Sequence, residues 1–133
     1  MANILVVDDE PDIREALQQI LEDSLGAKVD VASDGAEAKR RLESETYDVV
    51  LTDERMPRMR GSDLLRWLQE FRPSTVRILM SAYFESFTGR DVAQKSGAAH
   101  FVRKPIDLRE LLPLLRKGMG EGSDAARGPP PAN

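Results

Sequence analysis

The chain has no cysteine and one histidine, His100. Disulfides, thiolate metal sites and cysteine nucleophiles are therefore excluded, as is a metal site built from several histidines. No apolar run approaches the roughly 18 residues of a membrane span. The N-terminus passes from Met1 straight into a strand-like run with no basic stretch before it, so no signal peptide is visible and a cytoplasmic location is expected. The net charge of −4 is mild. It argues against a dominant nucleic-acid or anionic-membrane surface. What remains is a chain of 133 residues, 41% hydrophobic and 32% charged, which suits one globular domain.

Short apolar runs alternate with helical patterns. Ile4-Leu5-Val6-Val7 is β-branched and continuous, as in a strand buried on both faces. Pro11 suits a first helical position, with acidic Glu10 and Asp12 at the positive helix end. Ile13, Leu17, Ile20, Leu21 and Leu25 mark one helical face, and Gly26 ends it. Lys28 to Ala32 reads as a second strand, and Asp34-Gly35 starts a second helix. Tyr47 to Thr52 is the third strand, followed by Asp53. Met56, Pro57 and Gly61 form a loop, and Ser62 or Asp63 is placed to cap the third helix. Val76 to Met80 is the fourth strand, with Ser81 after it. Residues 83 to 96 read as a loop and a weak fourth helix. His100 to Arg103 is a fifth strand closed by Lys104-Pro105, and Asp107 caps a last helix that contains Pro113. Residues 1–117 form the expected domain. Residues 118–133, rich in Gly, Pro and Ala, read as a disordered tail or linker stub.

This alternation is a (βα)5 pattern, an α/β fold with a parallel sheet covered on both faces. Ligands of such sheets bind beyond the carboxyl ends of the strands. There the sequence places Asp8 and Asp9 after the first strand, Asp53 after the third, Ser81 after the fourth and Lys104 after the fifth. Several carboxylates in one cleft suit a hard divalent cation such as Mg²⁺, which takes oxygen ligands. The backbone carbonyl of Arg55, just past Asp53, is a further candidate ligand. With a cation beside it, Asp53 can remain an anion and act as a nucleophile toward phosphorus. Lys104 can neutralise phosphoryl charge, and the Ser81 hydroxyl can donate to a phosphoryl oxygen.

Four pieces, VVDDEP, LTDERMP, LMSA and FVRKPID, in this order and spacing, make the chain resemble a receiver domain of a bacterial two-component response regulator over roughly residues 3 to 117. The resemblance implies a flavodoxin-like fold of strand order 2-1-3-4-5. It implies Asp53 as phosphoacceptor, Asp8 and Asp9 as Mg²⁺ ligands, Ser81 and Lys104 as phosphoryl-binding residues, and a cis peptide before Pro105. Phe101 takes the place of a switching aromatic that turns inward after phosphorylation, without the hydroxyl of the commoner tyrosine. Arg55 and Tyr83 fall at positions that tune dephosphorylation. Both are bulky, so slow self-hydrolysis is expected. The implied partner is a sensor histidine kinase or phosphotransfer protein. The implied output surface is formed by the fourth helix, fifth strand and fifth helix, a surface through which a homodimer could also form.

The segment from Ser81 to Gly97, with Phe84 and Phe87, departs from the usual pattern and leaves the output surface open. No DNA-binding, ATPase or cyclase pattern follows residue 117, so no direct nucleic-acid binding is expected of this segment, and the output partner stays open. The receiver would catalyse only its own phosphoryl transfer and dephosphorylation. One alternative is a pseudo-receiver that binds a protein without being phosphorylated. Another is a haloacid-dehalogenase-like hydrolase, disfavoured because Asp8 and Asp9 are adjacent and no cap domain is present. The basic groups at 39–41 and 116–117 read as solvated helix faces, and His100 as an edge residue facing away from Phe101.

Overall fold

The computed structural model describes residues 2–82 and 97–120. Five strands, β1 (Asn3–Val7), β2 (Lys28–Ala32), β3 (Val49–Asp53), β4 (Val76–Ser81) and β5 (His100–Arg103), form one parallel sheet in the order β2-β1-β3-β4-β5. Helices α1 (Pro11–Leu25), α2 (Gly35–Ser44) and α3 (Gly61–Phe71) follow the first three strands, and the C-terminal helix (Leu108–Gly118) follows β5. The fold is the flavodoxin-like arrangement. The expected fourth helix, together with Tyr83, Phe84 and Phe87, lies outside the described residues.

The continuous apolar strands are explained by the two layers. Ile4 and Val6 face α1 and the C-terminal helix, packing with Leu17, Leu21, Leu111 and Leu115. Leu5 and Val7 face α2 and α3, packing with Leu42, Leu64, Leu65 and Leu68. Side chains alternate across a strand, so a strand clothed on both faces has no polar position to offer. Each fully buried leucine contributes about 1.5–3 kcal/mol. Lys39 is not simply a solvated lysine: its Nζ lies 5.4 Å from the Trp67 ring centre, joining α2 to α3.

Three expectations are corrected. Asp53 and Ser81 are the last residues of β3 and β4 rather than the first residues after them, while Tyr47 precedes β3. Gly61 is not loop but the first residue of α3, and neither Ser62 nor Asp63 caps that helix. A Cβ on residue 61 would run into the Asp53 carbonyl, so glycine allows α3 to start directly against the end of β3. The C-terminal helix continues through Pro113 to Gly118, and Met119 packs on the core beyond it.

Candidate functional site

The strand order reverses between β1 and β3, which opens a cleft beyond their carboxyl ends, and the residues there come from four strands. A cavity of about 330 Å³ is lined by Asp9, Glu10, Asp53, Arg55, Ser81 and Lys104, among others. Asp8 lies beneath it, fully buried. One oxygen from each of Asp8, Asp9 and Asp53 can be chosen so that all three lie within 4.8 Å of one another. The Lys104 ammonium bridges two of these carboxylates, 3.0 Å from Asp8 Oδ2 and 3.2 Å from Asp53 Oδ1, with Glu10 Oε1 at 3.8 Å.

Backbone contacts hold these groups in place. Asp8 N–H donates to Ala32 C=O at 3.1 Å, and the Asp8 carbonyl accepts from Arg14 Nη1 at 2.8 Å. Asp8 Oδ1 accepts from Glu10 N–H at 2.9 Å, which turns the chain from β1 into α1 while leaving Oδ2 for Lys104. Lys104 N–H donates to Ser81 C=O at 3.0 Å, so the lysine and the hydroxyl residue are tied together by main chain. The Lys104–Pro105 peptide is cis.

The electrostatics follow from this crowding. Burial raises the Asp53 carboxyl to about 6; the Lys104 charge opposes that shift and the Asp8 charge adds to it. For Lys104, burial works against the ammonium, but the hydrogen bond to Asp8 and the charges of Asp53 and Asp8 outweigh it, and its pKa is raised. Three carboxylates around one ammonium leave surplus negative charge. That donor set of hard oxygens, with the Arg55 residue in the cavity wall, suits Mg²⁺.

Asp8, Asp9, Asp53, Arg55, Ser81 and Lys104 thus converge as the sequence placed them. Phe101 stands apart from the cavity, half-buried on β5 against the α2–α3 layer. Its register partner is Leu79, so Phe101 and Ser81 project from the same sheet face on neighbouring strands, while Val102 packs in the opposite layer. Two residues were missed. Glu10 lines the cavity, and its signal was the third acid in the DDE run. Glu54 follows Asp53 and is buried, and its partners become visible only in the folded chain. Burial raises its carboxyl pKa, against the lowering effect of its hydrogen bonds from the Ser62 backbone N–H and hydroxyl.

The chain is similar to known response regulators. The response regulator protein PilR of Pseudomonas aeruginosa is 41% identical over 114 residues, 84% of this chain and 24% of PilR. An uncharacterized 14.6 kDa protein of Leptolyngbya boryana is 35% identical over 116 residues, 86% of this chain and 88% of that protein. The chain therefore spans about a quarter of one relative and most of the other. Among solved structures, the response regulator TrrA of Thermotoga maritima, in complex with Mg²⁺ and BeF, superposes with a TM-score of 0.79 at 32% identity, covering 89% of this chain and 99% of that one. The model of the response regulator receiver domain matches residues 4–116. With that match over most of its length, the chain belongs to the response regulator receiver family.

Proposed function

We propose that this chain is switched by a phosphoryl group accepted on Asp53, in a Mg²⁺-dependent transfer from a sensor histidine kinase or a phosphotransfer protein. The observation that carries this reading is the Lys104 ammonium held between Asp8 and Asp53, with Asp9 and Ser81 at the same cavity. Asp8, Asp9, Asp53 and the Arg55 carbonyl are the groups that would hold Mg²⁺. When bound there, the ion neutralises charge on the phosphoryl oxygens.

Asp53 supplies the nucleophile. One carboxylate oxygen forms the bond to phosphorus, and the bond from phosphorus to the donor nitrogen or oxygen breaks, its electron pair leaving with the donor. Lys104 moves its charge toward the incoming phosphoryl oxygens, a charge-assisted contact. Ser81 donates its hydroxyl to another. Because Phe101 shares a sheet face with Ser81, an inward shift of Ser81 opens space on the side where the ring packs. A population change from 1:99 to 99:1 needs about 5.5 kcal/mol of differential binding, which several charge-assisted bonds can supply. β5 and the C-terminal helix would then report the state. Arg55, exposed and in the wall of the cavity, would slow attack by water. Among the described residues no helix is long and apolar enough to cross a membrane, which is compatible with a cytoplasmic signalling role. The receiver would turn over only its own phosphoryl group.

The test is labelling by a small acyl phosphate with and without Mg²⁺. One equivalent of acid-stable but hydroxylamine-labile phosphate is expected, absent without Mg²⁺ and absent in Asp53→Ala. Labelling that persists in Asp53→Ala would overturn the assignment.

A further inference from the structure

Helix α3 starts beside the acceptor aspartate without the cap that its neighbour has. In α2 the N-cap residue does its own work: Asp34 Oδ1 accepts from Glu37 N–H at 2.8 Å. In α3 the N-cap is Arg60, whose side chain makes no capping bond. The first N–H groups of a helix have no partner within it. Here one is satisfied across the loop by Glu54, whose Oε1 accepts from Ser62 N–H at 2.8 Å while Oε2 accepts from Ser62 Oγ at 3.1 Å.

Glu54 is itself anchored through its main chain. Its N–H donates to Met80 C=O at 3.1 Å, and its carbonyl accepts from Gly61 N–H at 3.1 Å. Burying a carboxylate is costly unless its oxygens are bonded, and both are. The side-chain bonds therefore close a ring around residues 55 to 61, the segment that carries the Arg55 carbonyl. The far side of that segment has a second tether. Arg58 sits at φ +70° with its guanidinium 2.9 Å from Asp34 Oδ2. The loop is thus pinned between the starts of α2 and α3.

We propose that Glu54 is a positioning residue for the cation site: its clamp on Ser62 sets the β3–α3 loop so that the Arg55 carbonyl faces the cleft, and it couples cation binding to the start of α3. The proposal rests on the reading of Asp8, Asp9, Asp53 and the Arg55 carbonyl as the ligand set. It makes Glu54 more than a helix cap, and a double substitution separates the two roles. Asp at position 60 is a favoured N-cap. It would satisfy the helix start locally without bridging loop and helix. It would also add negative charge near the cleft, so any remaining loss of cation affinity could not be blamed on lost charge.

The experiment is calorimetric Mg²⁺ titration of the full chain, with thermal unfolding of the metal-free protein alongside. Glu54→Ala is expected to weaken Mg²⁺ about tenfold or more, the scale seen when groups that orient metal ligands are removed. Glu54→Gln keeps an acceptor for Ser62 N–H and is expected to stay closer to wild type. Glu54→Ala with Arg60→Asp is expected to recover the lost unfolding temperature while Mg²⁺ stays weak. Wild-type affinity in Glu54→Ala would overturn the proposal, and so would recovery of both stability and affinity in the double variant, which would make Glu54 a cap only. If Glu54→Ala does not fold, Glu54→Ala with Arg60→Asp, in which the helix start has its own cap, carries the test alone, again with weaker Mg²⁺ binding expected and unchanged binding fatal. Wild-type protein that takes up no Mg²⁺ would overturn the ligand set itself, and this proposal with it.

Discussion

At the amino-terminal edge of the sheet, polar groups find their partners within the fold. Asn3 N–H donates to Asp48 Oδ2 at 2.8 Å, and the Thr75 hydroxyl donates to the Tyr47 carbonyl at 2.9 Å. Gly118 brings the C-terminal helix so near Val49 that a Cβ there would lie 2.9 Å from its Cγ2. At the opposite edge, Asp8, Asp9 and Asp53 crowd together with Lys104 as the ammonium between two of them. Both edges close the same five strands. The first edge is complete without anything added, whereas the second carries charge that a cation and a phosphoryl group would complete. The packing at the first edge and the charged cleft at the second lie at opposite ends of one sheet, so a change in the packing is expected to leave the cleft intact.

The largest expected effect at the charged edge comes from Lys104→Met. Labelling by an acyl phosphate should fall by about 10²-fold or more, the scale for removing one group that stabilises developing negative charge. Mg²⁺ should bind more tightly in the same variant, because the ammonium no longer competes for Asp8 and Asp53. Parallel calorimetry and labelling check this, and a variant that loses both together would blur the comparison.

A second contrast concerns metal-free stability. An Asp53 pKa near 6 means that the folded state holds this proton more tightly than the unfolded chain does. The folded state therefore binds more protons between about pH 4 and 6, so the Asp53 contribution to stability falls as pH rises through that window. Asp53→Asn removes the ionisable group and should stabilise the metal-free protein at pH 7.5 by on the order of 2 kcal/mol. The pH 4 to 6 decline should flatten as well. Urea unfolding across that range decides it, and an Asp53→Asn protein less stable than wild type at pH 7.5 would contradict the picture.

Added Mg²⁺ should raise the unfolding temperature of the wild type at pH 7.5 and do so less at pH 5, because a proton then occupies part of the Asp53 population. Scanning calorimetry at the two values is sufficient. An equal rise at both would detach the cation from Asp53.

The smallest effect is expected at the quiet edge. Gly118→Ala should gain about 0.5–1 kcal/mol in helix propensity but lose about 1–3 kcal/mol to the collision with Val49. The net destabilisation is on the order of 1 kcal/mol, with Mg²⁺ affinity and labelling unchanged. A shift in Mg²⁺ affinity would show that the two edges communicate.

Much of this was legible in the chain. Ile4 to Val7 announces a strand covered on both faces, because nothing polar interrupts it. The residues at strand ends then stand out as acids, a hydroxyl and a lysine. The start of α3 was not legible. Ser62 and Asp63 have the chemistry of caps, yet the helix begins earlier, because Gly61 can sit against the Asp53 carbonyl and Glu54 reaches back to Ser62. Local preference lost to a contact across the loop. The end of the last helix differs for a related reason: composition groups Gly118 with the Gly- and Pro-rich tail, but its missing side chain is what lets the helix pack on β3 and β4.

The order of strands and helices, and the residue types delivered to the carboxyl ends of the strands, were determined by the sequence alone, because periodicity and chain punctuation act over a few residues. Only the tertiary structure decided that Asp8 is sealed beneath the cleft, that Lys104 spans two carboxylates and that Glu54 holds α3. Those outcomes depend on separations between segments remote in the chain, and no local pattern encodes a distance of that kind.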